Sequence, residues 1–141
     1  MNTGTIVNLL IREEGEVLHA YQDSEDFWTI GVGHLIDKRK GGKISKKISR
    51  LILEDDIASS VAAAEKYAWF CGLNDARQAI VVSMIFQLGV GGFRAFKKTR
   101  AFLAAGEFDK AAVEMLDSAW ARQAPARAKR ASKVIRTGEM A

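Results

Sequence analysis

The chain has 141 residues, of which 48% are hydrophobic and 27% are charged, so it is long enough for one compact soluble domain. Its net charge of +4 indicates an anionic partner, such as a nucleic acid, a membrane surface or an acidic polymer, without choosing among them. The lone cysteine, Cys71, excludes a disulfide framework and a cysteine-based zinc site within one chain, and we expect it to be a small buried apolar residue.

The first predicted element is a helix over residues 3–14. Apolar residues at helical spacing form one stripe that reaches Glu14 and a rival stripe that reaches Glu13, so periodicity does not choose between the two glutamates. Gly15 suits the left-handed position that ends a helix. The helix is therefore expected to end on a carboxyl group.

A β-hairpin is predicted after this helix. Residues 17–22 and 27–34 are rich in aromatic and β-branched types, and the polar residues 23–26 between them are typical of a turn. Residues 41–44, two glycines followed by Lys-Ile, suggest a short third strand. The N-terminal part of the chain is therefore expected to contain a small sheet.

A long helix is predicted over about 46–68, with Ser45 as its N-cap. A set of residues at helical spacing continues one face of this helix towards Trp69. The residues of that face are Ile48, Leu51, Ile52, Asp55, Ala58 and Ala62. A helix of this length is suited to connect two lobes.

The next helix is capped by Asn74 or Asp75 and has an almost wholly apolar body, AIVVSMIF, at residues 79–86. A helix that is apolar nearly all round belongs in the centre of a core. We expect it to be broken by three closely spaced glycines, Gly89, Gly91 and Gly92.

Three further helices are predicted. Two short ones lie near 97–105, ended by Gly106, and near 108–117. Pro125 suits the first turn of the last helix, and Gly138 suits the residue after its end.

These elements predict an α+β fold in a single domain, 1–141. A small N-terminal lobe, about 12–45, is joined by the connecting helix, about 46–68, to an all-helical C-terminal lobe, about 69–141, which also includes the first helix, 3–14. A cleft between the lobes is the natural place for a ligand.

The chemistry that the N-terminal lobe suggests is the cleavage of a glycosidic bond, which usually needs two carboxyl groups. Glu14 suits the protonated acid if the helix end buries it, because desolvation favours the neutral form. Asp23 on the turn suits the ionised partner, and Thr29 on the next strand could hold a water beside it. Acids at helix ends and turns are more often simply solvated, and a strand Thr is usually only a good strand former.

The segment REEGEVLHAYQDSEDFWTIGVGH, residues 12–34, closely resembles the signature of phage-type lysozymes, the T-even phage endolysin family. The matching elements are Glu14-Gly15, Tyr21-Gln22-Asp23 and Thr29-Ile30-Gly31-Val32-Gly33-His34. Later segments resemble the C-terminal lobe of the family in the same order: MIFQLG (84–89), FDKAAVEML (108–116), Trp120, QAPARAKR (123–130) and RTG (136–138). The resemblance implies a lysozyme-like fold over most of the chain.

The resemblance also implies roles for individual residues. Glu14 is the general acid, and Asp23 and Thr29 position and activate the hydrolytic water. Four residues fall where family members contact the sugar chain: Leu35, Phe86, Thr99 and Glu114. The last of these positions is typically an amide in the family, so the carboxylate of Glu114 departs from the pattern.

Two more residues have supporting roles by this resemblance. His34 is expected to be a structural histidine paired with a buried acid. Arg127 matches an arginine that lies close to the catalytic glutamate. Phe86 is expected in the cleft, whereas Trp120 is expected in the core.

No cofactor and no metal are expected. His34, His19, Glu14 and Asp23 could be imagined as metal ligands, but no HxxxH or Cys/His cluster supports this. Basic residues gather near the C-terminus: Arg122, Arg127, Lys129, Arg130, Lys133 and Arg136. Without interleaved aromatic residues after Trp120 they favour a solvated face, attracted to an anionic wall polymer, over nucleic-acid binding.

The implied function is that of a muramidase, which hydrolyses the β-1,4 bond between N-acetylmuramic acid and N-acetylglucosamine in peptidoglycan, with inversion. The alternatives are a lytic transglycosylase and a non-catalytic module that binds the wall or a nucleic acid. The start of the chain lacks a basic leader and no apolar run of about 18 residues is found. We therefore expect a monomer without stable membrane insertion, which stays in the host cytoplasm until it is released to the cell wall.

Overall fold

The computed structural model describes residues 3–37 and 43–140. The chain forms two compact units, the N-terminal unit, Met1–Leu51, and the C-terminal unit, Ile52–Ala141. The first contains a three-stranded antiparallel sheet and the second is helical throughout its regular elements, so the predicted α+β class is confirmed. The packing of the first helix with the helical lobe stays a prediction.

Helix α1 spans Thr3–Glu14, as predicted. It ends because Gly15 adopts a left-handed conformation, φ 73°, while its N–H donates to the carbonyl of Ile11 at 2.9 Å. Four apolar side chains of α1, drawn from both stripes, are more than one third exposed: Val7, Leu9, Leu10 and Ile11.

The predicted hairpin is present. Strands β1, Val17–Gln22, and β2, Trp28–Gly31, pair antiparallel, with Tyr21 opposite Thr29. In the turn between them the Asp23 N–H donates to the Phe27 carbonyl at 2.9 Å. This bond closes the loop over residues 23–27 and sets the register of the hairpin.

The expectation of one strand over 27–34 was wrong. A tight turn divides it, and the third strand, β3, is His34–Asp37, antiparallel to β2. Gly31 and Gly33 at the turn have φ of 69° and 61°, a conformation that side-chain-bearing residues rarely adopt. Of the expected strand at 41–44, residues 41–42 lie outside the described part of the chain, and 43–44 are not in a strand.

Helix α2 spans Lys46–Ala64, four residues shorter than predicted. Its N-cap is Ser45, as predicted, because the hydroxyl oxygen accepts from the N–H of Ile48 at 3.2 Å. The face that continues towards Trp69 is not the packed one. Its members are exposed, and the buried residues are Ser60 and Ala64 on another face, so apolar content along the helix did not identify the packing side.

Helix α3, Asp75–Arg94, supplies the centre of the C-terminal core, as predicted. Its cap is Asn74, whose side-chain oxygen accepts from the N–H of Arg77 at 3.0 Å. Of the three expected glycine breaks, only Gly89 leaves the helical conformation, with φ 76° and ψ 169°. The other two glycines continue the helix beyond this kink.

The length and apolar composition of α3 would allow it to cross a membrane. It is not an uninterrupted apolar run, because charged and polar residues and three glycines lie within Asp75–Arg94. The core helix of a soluble protein passes the same test, and Val81, Met84 and Ile85 of α3 are buried in the core.

The other helices are α4, Lys97–Ala104, α5, Phe108–Leu116, α6, Ala119–Gln123, and α7, Pro125–Thr137. All but α6 were predicted. The Trp120 ring is buried in the core, as expected, and its N–H donates to Gln87 at 2.9 Å. Cys71, in a short 3-10 helix, is exposed, so the expectation that it is buried was wrong.

The start of α3 is tied to the end of α7 by side chains. The Asn74 amide donates to the carbonyl of Gly138 at 2.9 Å, while Arg77 donates to the carbonyls of Ile135, at 2.8 Å, and Arg136, at 3.3 Å. The Arg77 guanidinium also lies 3.6 Å from the centre of the Phe108 ring. Arg77 thus satisfies carbonyls that a helix end leaves without an internal partner.

Replacing Arg77 with Met should lower the free energy of unfolding by about 2 kcal/mol, because hydrogen bonds from a charged group contribute roughly 1.5–3 kcal/mol while Met keeps much of the packing on Phe108. Urea denaturation followed by circular dichroism measures the change. The control is Arg94→Met on the same helix, since Arg94 is exposed. Equal losses in both variants would contradict this role of Arg77.

Candidate active site

The carboxyl group of Glu14 lies against the β2–β3 turn. A Cβ atom built on Gly33 would lie 2.9 Å from Oε2 of Glu14 and 3.2 Å from its Cγ and Cδ. The side chain of Glu14 therefore occupies the space that any larger residue at position 33 would need. The bare glycine lets the end of α1 and the turn come together.

The structure distinguishes the two glutamates that periodicity left open. The carboxylate of Glu13 pairs with its neighbour Arg12 at 3.0 Å, and both side chains are exposed. Glu14 instead contacts the turn of the sheet. Glu14 is exposed, which differs from its expected burial.

Asp23 is held in the turn between β1 and β2 by the backbone. Its Oδ1 accepts two hydrogen bonds, from the N–H groups of Glu25 at 2.8 Å and Phe27 at 2.9 Å. This is the local side-chain-to-backbone bonding for which Asp is favoured in turns. Among the described residues nothing bonds to Oδ2, so that oxygen can bind a water or a ligand.

Thr29 lies in the central strand, opposite Tyr21 on one side and Leu35 on the other. Its side chain is 5% exposed, and its hydroxyl donates to the carbonyl of Phe27 at 3.2 Å. Because the hydroxyl proton is used in this bond, the lone pairs of the oxygen remain to accept a hydrogen bond.

The Phe27 carbonyl joins Asp23 to Thr29. It accepts from both the Asp23 N–H, at 2.9 Å, and the Thr29 hydroxyl, at 3.2 Å. The Asp23 backbone nitrogen and the Thr29 hydroxyl are therefore no more than two hydrogen-bond lengths apart. Sequence reasoning missed this bridging role because no side chain at position 27 is needed for it.

The two other predicted residues of the N-terminal unit lie on β3. Leu35 is 37% exposed, so its side chain is accessible to a ligand. His34 is exposed and lines a pocket of about 400 Å³ with Lys43, Ile44, Ser45 and Ile48. Within the described residues no acid pairs with His34, which differs from the expected buried pair.

In the C-terminal unit, Thr99 and Glu114 line one pocket of about 540 Å³. The pocket also contains the aromatic rings of Phe96 and Trp120 and the amide of Gln123. Thr99 is 2% exposed and Glu114 is half-buried. Aromatic faces next to polar groups are suited to a ligand that has both apolar and hydroxyl surfaces.

Phe86 is 45% exposed and lines a different pocket, of about 670 Å³. Ser83, which lines the same pocket, accepts a hydrogen bond on its hydroxyl from the Arg127 guanidinium at 2.9 Å. Arg127 is half-buried and is thus fixed against α3. Phe86 is accordingly not in one pocket with Thr99 and Glu114.

Over residues 3–37 and 43–140, no group of three or more His, Cys, Asp or Glu side chains is arranged to hold an ion.

The sequence matches the model of the phage lysozyme family over residues 11–135. It is 29% identical to the probable T4-type lysozyme 1 of Dictyostelium discoideum and 27% identical to the probable T4-type lysozyme 2, each over 96% of both chains. It is also 30% identical to the pre-baseplate central spike protein Gp5 of Enterobacteria phage T4, over 96% of this chain and 28% of that protein. The chain therefore belongs to the phage lysozyme family and is a glycoside hydrolase of the lysozyme type, which acts on peptidoglycan.

Proposed function

We propose that the protein hydrolyses the β-1,4 bond between N-acetylmuramic acid and N-acetylglucosamine, with inversion at the anomeric carbon. The observation that carries this proposal is the contrast between two carboxyl groups of the N-terminal unit. Glu14 ends a helix and rests on Gly33, whereas Asp23 is fixed by two backbone N–H groups with one oxygen open. Two carboxyl groups in different surroundings are what acid–base cleavage of a glycoside requires.

Glu14 is the general acid in this proposal and gives its proton to the leaving oxygen of the glycosidic bond. Its contact with Gly33 supports the role, because a proton donor must keep a fixed direction towards the bond that it cleaves. Glu13 is an unsuitable donor, since its carboxylate is engaged by Arg12.

Asp23 and Thr29 hold and activate the attacking water. Oδ2 of Asp23 takes the proton of the water, while the lone pairs of the Thr29 hydroxyl accept its other hydrogen. The hydrogen bonds of Phe27 support this pairing, because they connect both residues to one carbonyl group. Attack by a water held in this way inverts the anomeric centre.

Contacts to the sugar chain are proposed for Leu35, Phe86, Thr99 and Glu114. The exposure of Leu35 and Phe86 supports apolar contact with sugar rings. The shared pocket of Thr99 and Glu114 supports polar contact with hydroxyl or amide groups. A carboxylate at position 114 can only accept hydrogen bonds, so it selects donors on the substrate.

Analysis of the products tests the reaction type. Hydrolysis adds one water to the fragments, so mass spectrometry of digested wall in ¹⁸O-water should show labelled reducing ends, and NMR of early products should show the α-anomer. Asp23→Asn should reduce the rate by about 10²–10⁴-fold, the usual contribution of a general base. Asp26→Asn in the same turn is the control and should retain activity.

Anhydro products, one water lighter and formed equally well by Asp23→Asn, would instead identify a lytic transglycosylase. Binding to the wall without any cleavage would identify a non-catalytic module. Three properties stay predictions: residence in the host cytoplasm before release, the monomeric state and the lack of nucleic-acid binding. Cell fractionation measures the first of them, and size-exclusion chromatography of the protein alone and mixed with DNA measures the other two.

A further inference from the structure

The positive charge of the chain is concentrated in its last two helices. Of 21 basic and 17 acidic residues in the chain, six basic and no acidic residues lie in α6 and α7, within Ala119–Thr137. The remainder, with 15 basic and 17 acidic residues, has a net charge of −2. The excess that makes the chain basic thus comes entirely from this segment.

Five of these six cations face solvent. The Arg127 side chain is bonded to Ser83. The other five residues are exposed, and their side chains have no ion-pair or hydrogen-bond partner among the described residues: Arg122, Lys129, Arg130, Lys133 and Arg136. We call these five residues the basic face. The opposite side of α7 is buried through small and apolar residues, so this orientation of the helix is fixed.

Folding does not account for this arrangement. Lys129, Lys133 and Arg136 follow an i, i+4, i+7 spacing, which places like charges next to one another on one side of the helix, and such pairs destabilise a helix. The helix dipole favours cations only in the last turn, so it does not explain Lys129 or Arg130. A cluster of unpaired like charges that opposes helix stability indicates a ligand of opposite charge.

We propose that the basic face is a second, non-catalytic contact with the substrate polymer, and that it binds the carboxylates of the peptides attached to muramic acid. This inference rests on the proposed function. Peptidoglycan has a largely uncharged sugar backbone, and its peptides carry free carboxylates. Arg and Lys side chains pair with carboxylates, and a row of them on one helix face can contact several peptides of one strand.

The test is co-sedimentation with purified sacculi freed of teichoic acids, using full-length protein with Glu14→Gln so that the wall is not digested. Neutralising the middle of the basic face with Lys129→Gln, Arg130→Gln and Lys133→Gln should raise the apparent Kd at least about tenfold at low salt. The difference should disappear at about 0.5 M NaCl, where surface charges are screened. Amidation of the wall carboxylates should weaken binding of the parent protein to a similar degree.

The matched control changes the same charge elsewhere, with Lys46→Gln, Lys47→Gln and Arg50→Gln on α2, all exposed positions. Equal weakening by both triple variants would overturn the proposal, because net charge alone would then explain it. Undiminished binding to amidated sacculi, or binding that needs teichoic acid or anionic lipid vesicles, would overturn it as well. Cleavage of peptide-free peptidoglycan glycan strands, from which an amidase has removed the peptides, should be unchanged in the α7 variant with Glu14 intact.

These outcomes separate the two proposals. Loss of binding to amidated walls tests only the proposal about the basic face, since amidation leaves the glycan and its scissile bonds unaltered. A protein that binds sacculi through α7 but never cleaves them would contradict the proposed function and leave the basic face supported.

Discussion

Replacing Glu14 with Gln should abolish lysis of bacterial walls, with a loss of about 10³-fold or more, because general acid catalysis contributes roughly 10²–10⁴-fold and an amide cannot donate the proton. The free energy of unfolding should change by less than about 0.5 kcal/mol, since the side chain is exposed and the substitution keeps its shape. The rate is measured as the fall in turbidity of outer-membrane-permeabilised bacteria.

The adjacent residue is the matched control for this prediction. Glu13→Gln makes the same chemical change one position earlier and removes only the surface pair with Arg12. Exposed pairs contribute little, so this variant should retain both activity and stability. Full activity of Glu14→Gln would show that Glu14 is not the acid. Loss of activity in Glu13→Gln alone would show that Glu13 is the acid instead.

Replacing Gly33 with Ala should reduce activity by about 10²-fold, because the added methyl group would displace the Glu14 side chain and small misplacements of a reacting group have effects of this order. Gly31→Ala separates this effect from backbone strain. Gly31 has a similar φ, 69° against 61°, lies in the same turn, and would place its Cβ with nothing within 4 Å. Both variants should lose about 1 kcal/mol or more of stability through strain, but only Gly33→Ala should lose most of its activity.

A double-mutant cycle makes the contact itself measurable. In a Glu14→Ala background the carboxyl group is gone, so the additional stability cost of Gly33→Ala over Gly31→Ala should vanish. If that extra cost persists without the Glu14 side chain, or if Gly31→Ala is equally inactive, the contact between Gly33 and Glu14 does not position the acid.

Elements with a local signal were predictable from the sequence. Gly15, Ser45 and Gly138 were identified as helix ends, and Asn74 was one of two candidates for a cap, because capping depends on residues within one turn. Helix α6 was missed because five residues are too few for periodicity, although Ser118, which accepts from the N–H of Ala121 as its cap, was a usable signal.

Features that depend on distant parts of the chain were not predictable. Alternation of residue types continues through 27–34, and only the backbone conformation of its glycines shows that the chain turns there. The side of α2 that packs is decided by its partners, and the residues that are buried include Ser60 rather than the larger apolar residues nearby. Burial in a core depends on such packing and not on residue type alone.

The candidate site was predictable in part. The sequence singled out Glu14, Asp23 and Thr29 as chemical groups, and the resemblance suggested their roles. The contact of Glu14 with Gly33 joins residues 19 positions apart, and the Phe27 carbonyl acts through its backbone. Neither feature can be recognised from the types of side chain in the sequence, which is why only the three-dimensional structure reveals them.

The hydrogen bond between Asn74 and Gly138 also matters for longer chains. The spike protein of phage T4 has only 28% of its length in the part that matches this sequence, so related units occur inside larger architectures. Here the final helix is clamped beside the first turn of α3. A second domain joined to the final helix through a short linker would thus lie near the first turn of α3. The hydrogen bonds that hold the end of α7 would limit the motion of that domain.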